Sequence, residues 1–284
     1  MSASADRDLA FRYCVRLARA HPENFFVGSL FLPRERRRHL AAVYAYARLA
    51  DDLADGELPV AAKLDGLALW ERRLEECLRG TATHPVFLAL GETIRECALP
   101  VEPLRDLLAA FRYDAEFRPF ATFDDLLGYC RCSANPVGRI VLALFGVRDE
   151  ELARLSDRIC TALQLTNFWQ DLARDLARGR LYVPVEDLER FRVSRRSLEQ
   201  GEDAPRMRGL VRFEVERTRS LFQEGLPLAS RLRPGLAREV RMFASGGLRI
   251  LDRIEAGGYA PYRRRPRLTP TDKLRLLALG LVGV

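Results

Sequence analysis

An all-α fold is what this sequence predicts, and three observations carry that expectation. Apolar residues recur at three- and four-residue steps along nearly the whole chain. No useful length alternates with the period of two that a half-buried strand requires. Most prolines fall near the ends of the periodic segments. The first clear segment is 36–55, where Leu40, Val43, Tyr44, Ala47 and Ala50 recur at helical spacing. Similar periodicity runs through about 62–79, 85–97, 102–112, 123–146, 150–178, 206–232 and 235–256. Pro33, Pro59, Pro100, Pro184, Pro205, Pro234 and Pro261 punctuate them. Asn135-Pro136 lies within 123–146 and predicts a kink there. Gln200 to Pro205 is the most polar connector and is too short to separate domains, so one helical domain over residues 1–284 is expected. The apolar stretch Leu274 to Val284 is expected to pack as a last helix, with contact to a membrane surface left open.

Composition narrows the function classes. Nearly half of the 284 residues are hydrophobic and 30% are charged, a globular balance. No apolar run reaches the ~18–20 residues needed to cross a bilayer. Met1 to Asp8 lacks the basic flank and apolar stretch of a secretory signal, which points to the cytoplasm. The formal charge is +7, almost all of it Arg, since Lys63 and Lys273 are the only lysines. A basic balance suits anionic lipid, nucleic acid or phosphorylated small molecules. The arginines are spread out, however, with clusters only at Arg34–Arg38 and Arg263–Arg267, and no zinc-finger or RNA-binding signature accompanies them. Nucleic acid is therefore not an expected partner. Cys14, Cys77, Cys97, Cys130, Cys132 and Cys160 form no C-x-x-C pair and read as reduced core thiols. With only His21, His39 and His84 besides, a Cys/His zinc site is not expected, and any metal should be hard and oxygen-bound.

Two segments carry chemistry. In Tyr44-Ala-Tyr-Ala-Arg48-Leu-Ala-Asp51-Asp52-Leu-Ala-Asp55, the carboxylates of Asp51 and Asp55 stand one helical turn apart, with Arg48 and Tyr44 continuing the stripe. In Gln164-Leu-Thr-Asn167-Phe-Trp-Gln170-Asp171-Leu-Ala-Arg-Asp175, Asp171 and Asp175 repeat that spacing, with Asn167 and Gln164 one and nearly two turns earlier. Like charges one turn apart cost a helix a few tenths of a kcal/mol, and partial burial adds desolvation, so a compensating cation is called for. Mg²⁺ fits, because it takes a few carboxylates together with substrate phosphate oxygens. A lone D-x-x-x-D ordinarily marks a solvated face. Two of them, each preceded by a polar stripe on an apolar helix, are expected to face each other over an apolar cavity and hold a diphosphate. Arg48 would add hydrogen bonds to phosphate. Such an arrangement suits ionisation of an allylic diphosphate, whose departing pyrophosphate needs charge neutralisation and whose carbocation needs a site closed to stray water.

At these residues the chain resembles the squalene/phytoene synthase family of all-helical head-to-head prenyl synthases. The resemblance runs from about Cys14 to Lys273 and rests on ordered blocks. His21-Pro-Glu-Asn24-Phe25 precedes Leu32-Pro33 and the Tyr44–Asp55 segment, Tyr129-Cys130 leads into Val137-Gly138, and Gln164–Asp175 is followed by Gly179-Arg180-Leu-Tyr182-Val-Pro184. It implies that Asp51, Asp55, Asn167, Asp171 and Asp175 bind metal or closely support it, the four aspartates being the catalytic set. It implies that His21, Asn24, Tyr44, Arg48 and Gln164 surround the diphosphate and first isoprenyl units, and that Tyr182 and Tyr259 lie on the substrate side. Plainer roles also suit some of these: Tyr44, Tyr182 and Tyr259 as core aromatics, His21 as a cap on the turn before Pro22. Glu23-Asn24-Phe25, Ser133-Ala-Asn135-Pro136-Val-Gly138 and Asn167-Phe-Trp169-Gln170-Asp171 are similar to bacterial hydroxysqualene synthases of the hopanoid pathway. Gln170, on the substrate side of the second motif, stands where squalene and phytoene synthases usually have Arg, and Arg174 replaces a common acidic residue.

The reaction this implies is metal-assisted loss of pyrophosphate from presqualene diphosphate, with water capturing the cation to give hydroxysqualene. No G-x-G-x-x-G follows a strand, so no NADPH site is expected. Ser133, Ala134 and Gly138 would let a long hydrocarbon approach the backbone, or serve only close helix packing. The alternatives are presqualene diphosphate, squalene or phytoene synthesis from two farnesyl or geranylgeranyl diphosphates, and a non-catalytic assembly factor of the same fold.

Overall fold

The computed structural model describes residues 3–20, 34–202, 204–272, 274 and 276, and among them every regular element is a helix. In chain order these are α1 (Ala3–Ala20), α2 (Arg34–Asp55), α3 (Val60–Leu78), α4 (Pro85–Cys97), α5 (Glu102–Glu116), α6 (Phe123–Ser133), α7 (Asn135–Leu144), α8 (Glu150–Gln170), α9 (Leu172–Ala177), α10 (Val185–Arg190), α11 (Arg195–Glu199), α12 (Pro205–Gly225), a 3₁₀ turn (Leu226–Arg231) and α13 (Pro234–Ala256). Pro59 and Pro184 sit just before the first turns of α3 and α10, while Pro205 and Pro234 open α12 and α13. Proline is tolerated there because no backbone N–H is needed.

Two of the long segments expected as single helices are interrupted. The 123–146 stretch breaks at Ala134, whose φ of −115° leaves the helical range just before Asn135-Pro136. The kink read from the proline is therefore present. The 150–178 stretch breaks at Asp171, where ψ opens to 11°. Amide bonds still cross that break, from Asp171 N–H to the Asn167 carbonyl and from Asp175 N–H to the Asp171 carbonyl, both 2.9 Å. The one-turn spacing of the two carboxylates thus survives the interruption.

The helices group into two compact units, one built from residues 1–117 and 136–153, the other from 118–135 and 154–284. In the first, α2 is packed by α1, α3, α4 and α5. Its Ala41, Ala42, Ala45, Ala50 and Ala54 are buried, and their small side chains admit neighbours on several sides. Tyr46 fixes the helix: its hydroxyl donates to the Leu104 carbonyl at 2.9 Å, its own carbonyl accepts from the Trp70 indole at 3.2 Å, and its ring meets Phe87 edge-on. In the second unit, α8 buries Ile159, Ala162, Leu165, Phe168 and Trp169, and the Trp169 indole donates to the Thr218 hydroxyl of α12 at 2.8 Å. All six cysteines are free thiols. No described helix is long and apolar enough to cross a membrane.

Candidate active site

The first Asp motif occupies the last turns of α2. Tyr44 is buried, Arg48 and Asp51 are half-buried, and Asp52 and Asp55 are exposed. Arg48 reaches Asp52 one turn on, Nη2 to Oδ1 at 2.7 Å, and lies 3.8 Å from Asp51. The guanidinium is thereby oriented along the acidic face before any ligand arrives. Asp52 is a residue that the motif spacing alone does not single out, although its i,i+4 distance from Arg48 is the signal for it.

The second motif straddles the α8–α9 break. Gln164 and Gln170 are half-buried and Asn167 is exposed. Asp171 is gripped by Arg265, whose Nε bonds Oδ1 and whose Nη2 donates to Oδ2 at 3.2 Å. Arg174 stands 3.7 Å away. Gln170 turns to the same stretch of chain as Arg265 and donates its amide to the Pro266 carbonyl at 2.9 Å. Burial, and then the neighbouring Asp171 charge, push Asp175 up to about 6 against the pull of Arg174, Arg180 and Arg178. A carboxylate pair that resists full ionisation, with one member held by a guanidinium, is a pair that favours a cation.

Arg265 belongs to the Arg263–Arg267 cluster, which the sequence marks only as a run of charge. The residues just beyond the cluster position it. Thr269 and Asp272 cap each other reciprocally, Thr269 N–H to the Asp272 carboxylate at 2.9 Å and Asp272 N–H to the Thr269 hydroxyl at 3.2 Å. Arg249 and Arg253 of α13 clamp the same carboxylate at 2.6 and 2.7 Å. Burial alone would raise the Asp272 carboxyl, but the Thr269 N–H and hydroxyl and the two guanidiniums outweigh it and hold it well below the ordinary range.

Beside the second motif lies an aromatic cluster. Phe168 follows Asn167 in α8 and stacks on Tyr182 with centroids 3.8 Å apart and planes at 6°. Tyr129 and Phe120 complete it, 6.2 and 6.1 Å from the Tyr182 ring. The segment bearing Tyr182 is zipped to the start of α6 by Val185 N–H to the Phe120 carbonyl at 2.9 Å and Glu186 N–H to the Ala121 carbonyl at 3.1 Å. Tyr259, with a φ of 58°, occupies the turn after α13. Burial and a hydrogen bond to Glu255 raise its hydroxyl, so it engages charges of α12 and α13. His21 and Asn24 lie outside the described residues.

Among the described residues, no group of three or more acidic, histidine or cysteine side chains forms a ready-made metal cage. Magnesium does not need one, since it keeps waters and takes phosphate oxygens beside one or two carboxylates. Two carboxylates per motif, with Asp175 of the second pushed up by burial and then by Asp171, fit that ion.

Comparison with known proteins identifies the family. The family model for squalene/phytoene synthase matches residues 18–272. The chain is 32% identical to 15-cis-phytoene synthase of Synechocystis sp. over 95% of its length and 84% of that protein's, and 31% identical to phytoene synthase of Mycobacterium tuberculosis over 96% and 91%. Among solved structures it is similar to squalene synthase HpnC of Alicyclobacillus acidocaldarius, with 43% identity, a TM-score of 0.86, and 92% of this chain and 100% of that one covered. A dehydrosqualene synthase bound to a ligand matches with 25% identity and a TM-score of 0.84 over 99% and 98%. Two Asp motifs on all-helical scaffolding, matched by a family model over most of the sequence, place this chain in the squalene/phytoene synthase family of isoprenoid biosynthetic enzymes.

Proposed function

We propose that this enzyme is a Mg²⁺-dependent hydroxysqualene synthase that converts presqualene diphosphate and water into hydroxysqualene and diphosphate. The observation that carries the choice within the family is Gln170. Where squalene and phytoene synthases usually place an arginine, this side chain is neutral and spends its amide on the Pro266 carbonyl. Condensing two prenyl diphosphates requires charge for two diphosphate groups, whereas ionising presqualene diphosphate requires it for one.

Asp51, Asp55, Asp171 and Asp175, with Asn167 in support, would hold the magnesium. Bound there, the metal supplies Lewis-acid neutralisation of the diphosphate oxygens. Arg48, kept extended by Asp52, donates to the phosphate. Arg265, which grips Asp171 in the free enzyme, would turn its guanidinium to the diphosphate. The C–O bond to diphosphate then breaks with its electron pair leaving on oxygen. The Phe168–Tyr182 stack and its neighbours would offer π faces to the resulting cation. The cyclopropylcarbinyl cation rearranges with opening of its three-membered ring, a water oxygen then forms the new C–O bond, and the proton it sheds leaves with the diphosphate.

The test is a substrate panel. Purified protein with Mg²⁺ and presqualene diphosphate should give hydroxysqualene carrying ¹⁸O from labelled water. Presqualene diphosphate, squalene or phytoene made from farnesyl or geranylgeranyl diphosphate alone would sink the assignment. It would favour the condensing reading, which the name of the HpnC structure and the phytoene synthase relatives also support. No turnover of any prenyl diphosphate would leave the assembly-factor reading.

A further inference from the structure

Ser133 closes α6, and nothing in the packing explains its hydroxyl. The oxygen is buried and has no hydrogen-bond partner among the described residues. A helical hydroxyl can satisfy itself on the carbonyl one turn back. Thr93, Thr166 and Thr218 each do so, at 2.9, 2.7 and 2.7 Å. Ser133 does not, and an unpaired hydroxyl held away from water costs stability. A buried polar group that the fold leaves unpaired is accounted for when a water or a ligand pairs with it.

Two contacts fix where this hydroxyl stands. The Tyr129 ring of α6 lies 6.2 Å from the Phe168 ring of α8. Just past the end of α6, the Asn135 side-chain carbonyl accepts from the Thr161 hydroxyl of α8 at 2.9 Å, both residues being buried. Residue numbers rise along one strand of this pairing and fall along the other, so α6 and α8 run antiparallel. Ser133 therefore lies between the two contacts, level with Leu163 and Gln164. It follows Tyr129 by one turn on the same face, about 6 Å along the axis from the aromatic cluster. Phe168 stands between that level and Asp171, so the hydroxyl is on the far side of the rings from the second Asp motif. Leu126 and Cys130 of α6 and Ala162 and Leu165 of α8 make the buried surroundings apolar. A polar group in such a wall selects what may touch it.

We propose that the Ser133 hydroxyl holds the water that captures the carbocation, and so decides for an alcohol over a hydrocarbon. This role rests on the reaction proposed above. The serine oxygen accepts one O–H of the water, which leaves a water lone pair for the cationic carbon. That pair forms the C–O bond, the excess proton of the resulting oxonium passes to the released diphosphate, and the serine keeps its own proton. A cation that meets no held water instead loses a proton from carbon to the diphosphate and ends as a polyene hydrocarbon. Neither outcome needs an oxidant or a reductant. With the aromatic rings between them, the water is kept from hydrating the diphosphate before the carbon ionises.

The test incubates the full chain with presqualene diphosphate and Mg²⁺ in ¹⁸O-labelled water and measures the ratio of labelled alcohol to C30 hydrocarbon. Both products come from one cation, so the ratio does not depend on how fast it forms. Ser133→Ala and Ser133→Val should lower the ratio about fivefold to tenfold, the discrimination that one neutral hydrogen bond supplies. Ser133→Thr has the shape of the valine variant and keeps a hydroxyl, so it should retain the parent's ratio. Ser133→Ala should also keep or raise the thermal midpoint, since it removes a buried group that the fold leaves unpaired. An alanine variant with the parent's ratio, a threonine variant that shifts like the valine one, or a lowered midpoint for the alanine variant would each overturn this role while the assigned reaction stands. A parent that makes no hydroxysqualene would overturn both.

Discussion

At the scale of single residues, the four aspartates and Arg265 are where the assignment is most exposed to experiment. Asp51→Asn and Asp171→Asn remove charge from the proposed diphosphate site, so kcat should fall at least 100-fold to 1000-fold, the cost of losing one strong stabiliser of transition-state charge. The far-ultraviolet dichroism should stay that of the parent, since Asp51 is half-exposed and Asp171 lies at a helix break. Arg265→Gln removes a charge-assisted donor, a contribution of about 1.5–3 kcal/mol, so kcat/KM should drop roughly 10-fold to 150-fold. Inhibition by added pyrophosphate should weaken in parallel, which a residue serving only to hold its own segment in place would not cause. The aspartates could be read from their spacing because helix geometry converts sequence distance into a shared face. Arg265 could not, because its bond to Asp171 spans 94 positions and nothing local encodes it.

At the scale of elements, the long helices were legible because each buries a stripe with the 3.6 period, as α2 and α13 do. Those missed have physical reasons. α10 and α11 span six and five residues, shorter than any window in which periodicity shows. α1 carries the acidic Asp6 and Asp8 in its first turns, and two of its inward residues are alanines, so its stripe is faint. The break at Asp171 is a tertiary outcome, since no proline or glycine marks it. Packing between elements yields two predictions. A Cβ on Gly225 would sit 2.9 Å from the Leu155 carbonyl oxygen of α8, whereas one on Gly247 would meet ring and methyl atoms, Phe222 Cζ at 2.5 Å and Leu163 Cδ2 at 2.9 Å. Backbone yields less readily than side chains. Overpacking of this kind costs about 1–3 kcal/mol, and Gly225→Ala should lower the thermal midpoint more than Gly247→Ala does. Tyr182→Ala should destabilise by about 3–5 kcal/mol through loss of the stack on Phe168, while Tyr182→Phe keeps the stack. Turnover by the phenylalanine variant therefore isolates what the hydroxyl does, and denaturant melts of both variants measure the packing.

At the scale of the whole molecule, stability should depend on pH through acids that folding buries. Glu239 of α13 is 5% exposed, one carboxyl oxygen has no hydrogen-bond partner, and burial pushes it from 4.5 to about 8. The folded state favours the protonated form, so its contribution is complete below about pH 4.5, declines as pH rises, and is gone above about pH 8. Glu239→Gln mimics that form at every pH. Its thermal midpoint should match the parent's near pH 5 and exceed it increasingly up to pH 8, and a variant that loses stability uniformly would contradict this account. None of it was visible in sequence, where Glu239 is one acid among 39.

The segment that carries Arg265 leaves α13 at Gly257 and is tied back to the same helix through Asp272 on Arg249 and Arg253. Both its ends are thus anchored to one rod, and the guanidinium is presented to Asp171 as a tethered reagent whose local concentration the short loop sets. Releasing one anchor, as Asp272→Asn would, lets that concentration collapse without altering either partner of the pair. Lengthening the loop dilutes it only slowly, about 0.6 kcal/mol of closure entropy per doubling. Inserted glycines between Arg267 and Thr269 would therefore act as a graded control on how firmly Arg265 sits on Asp171.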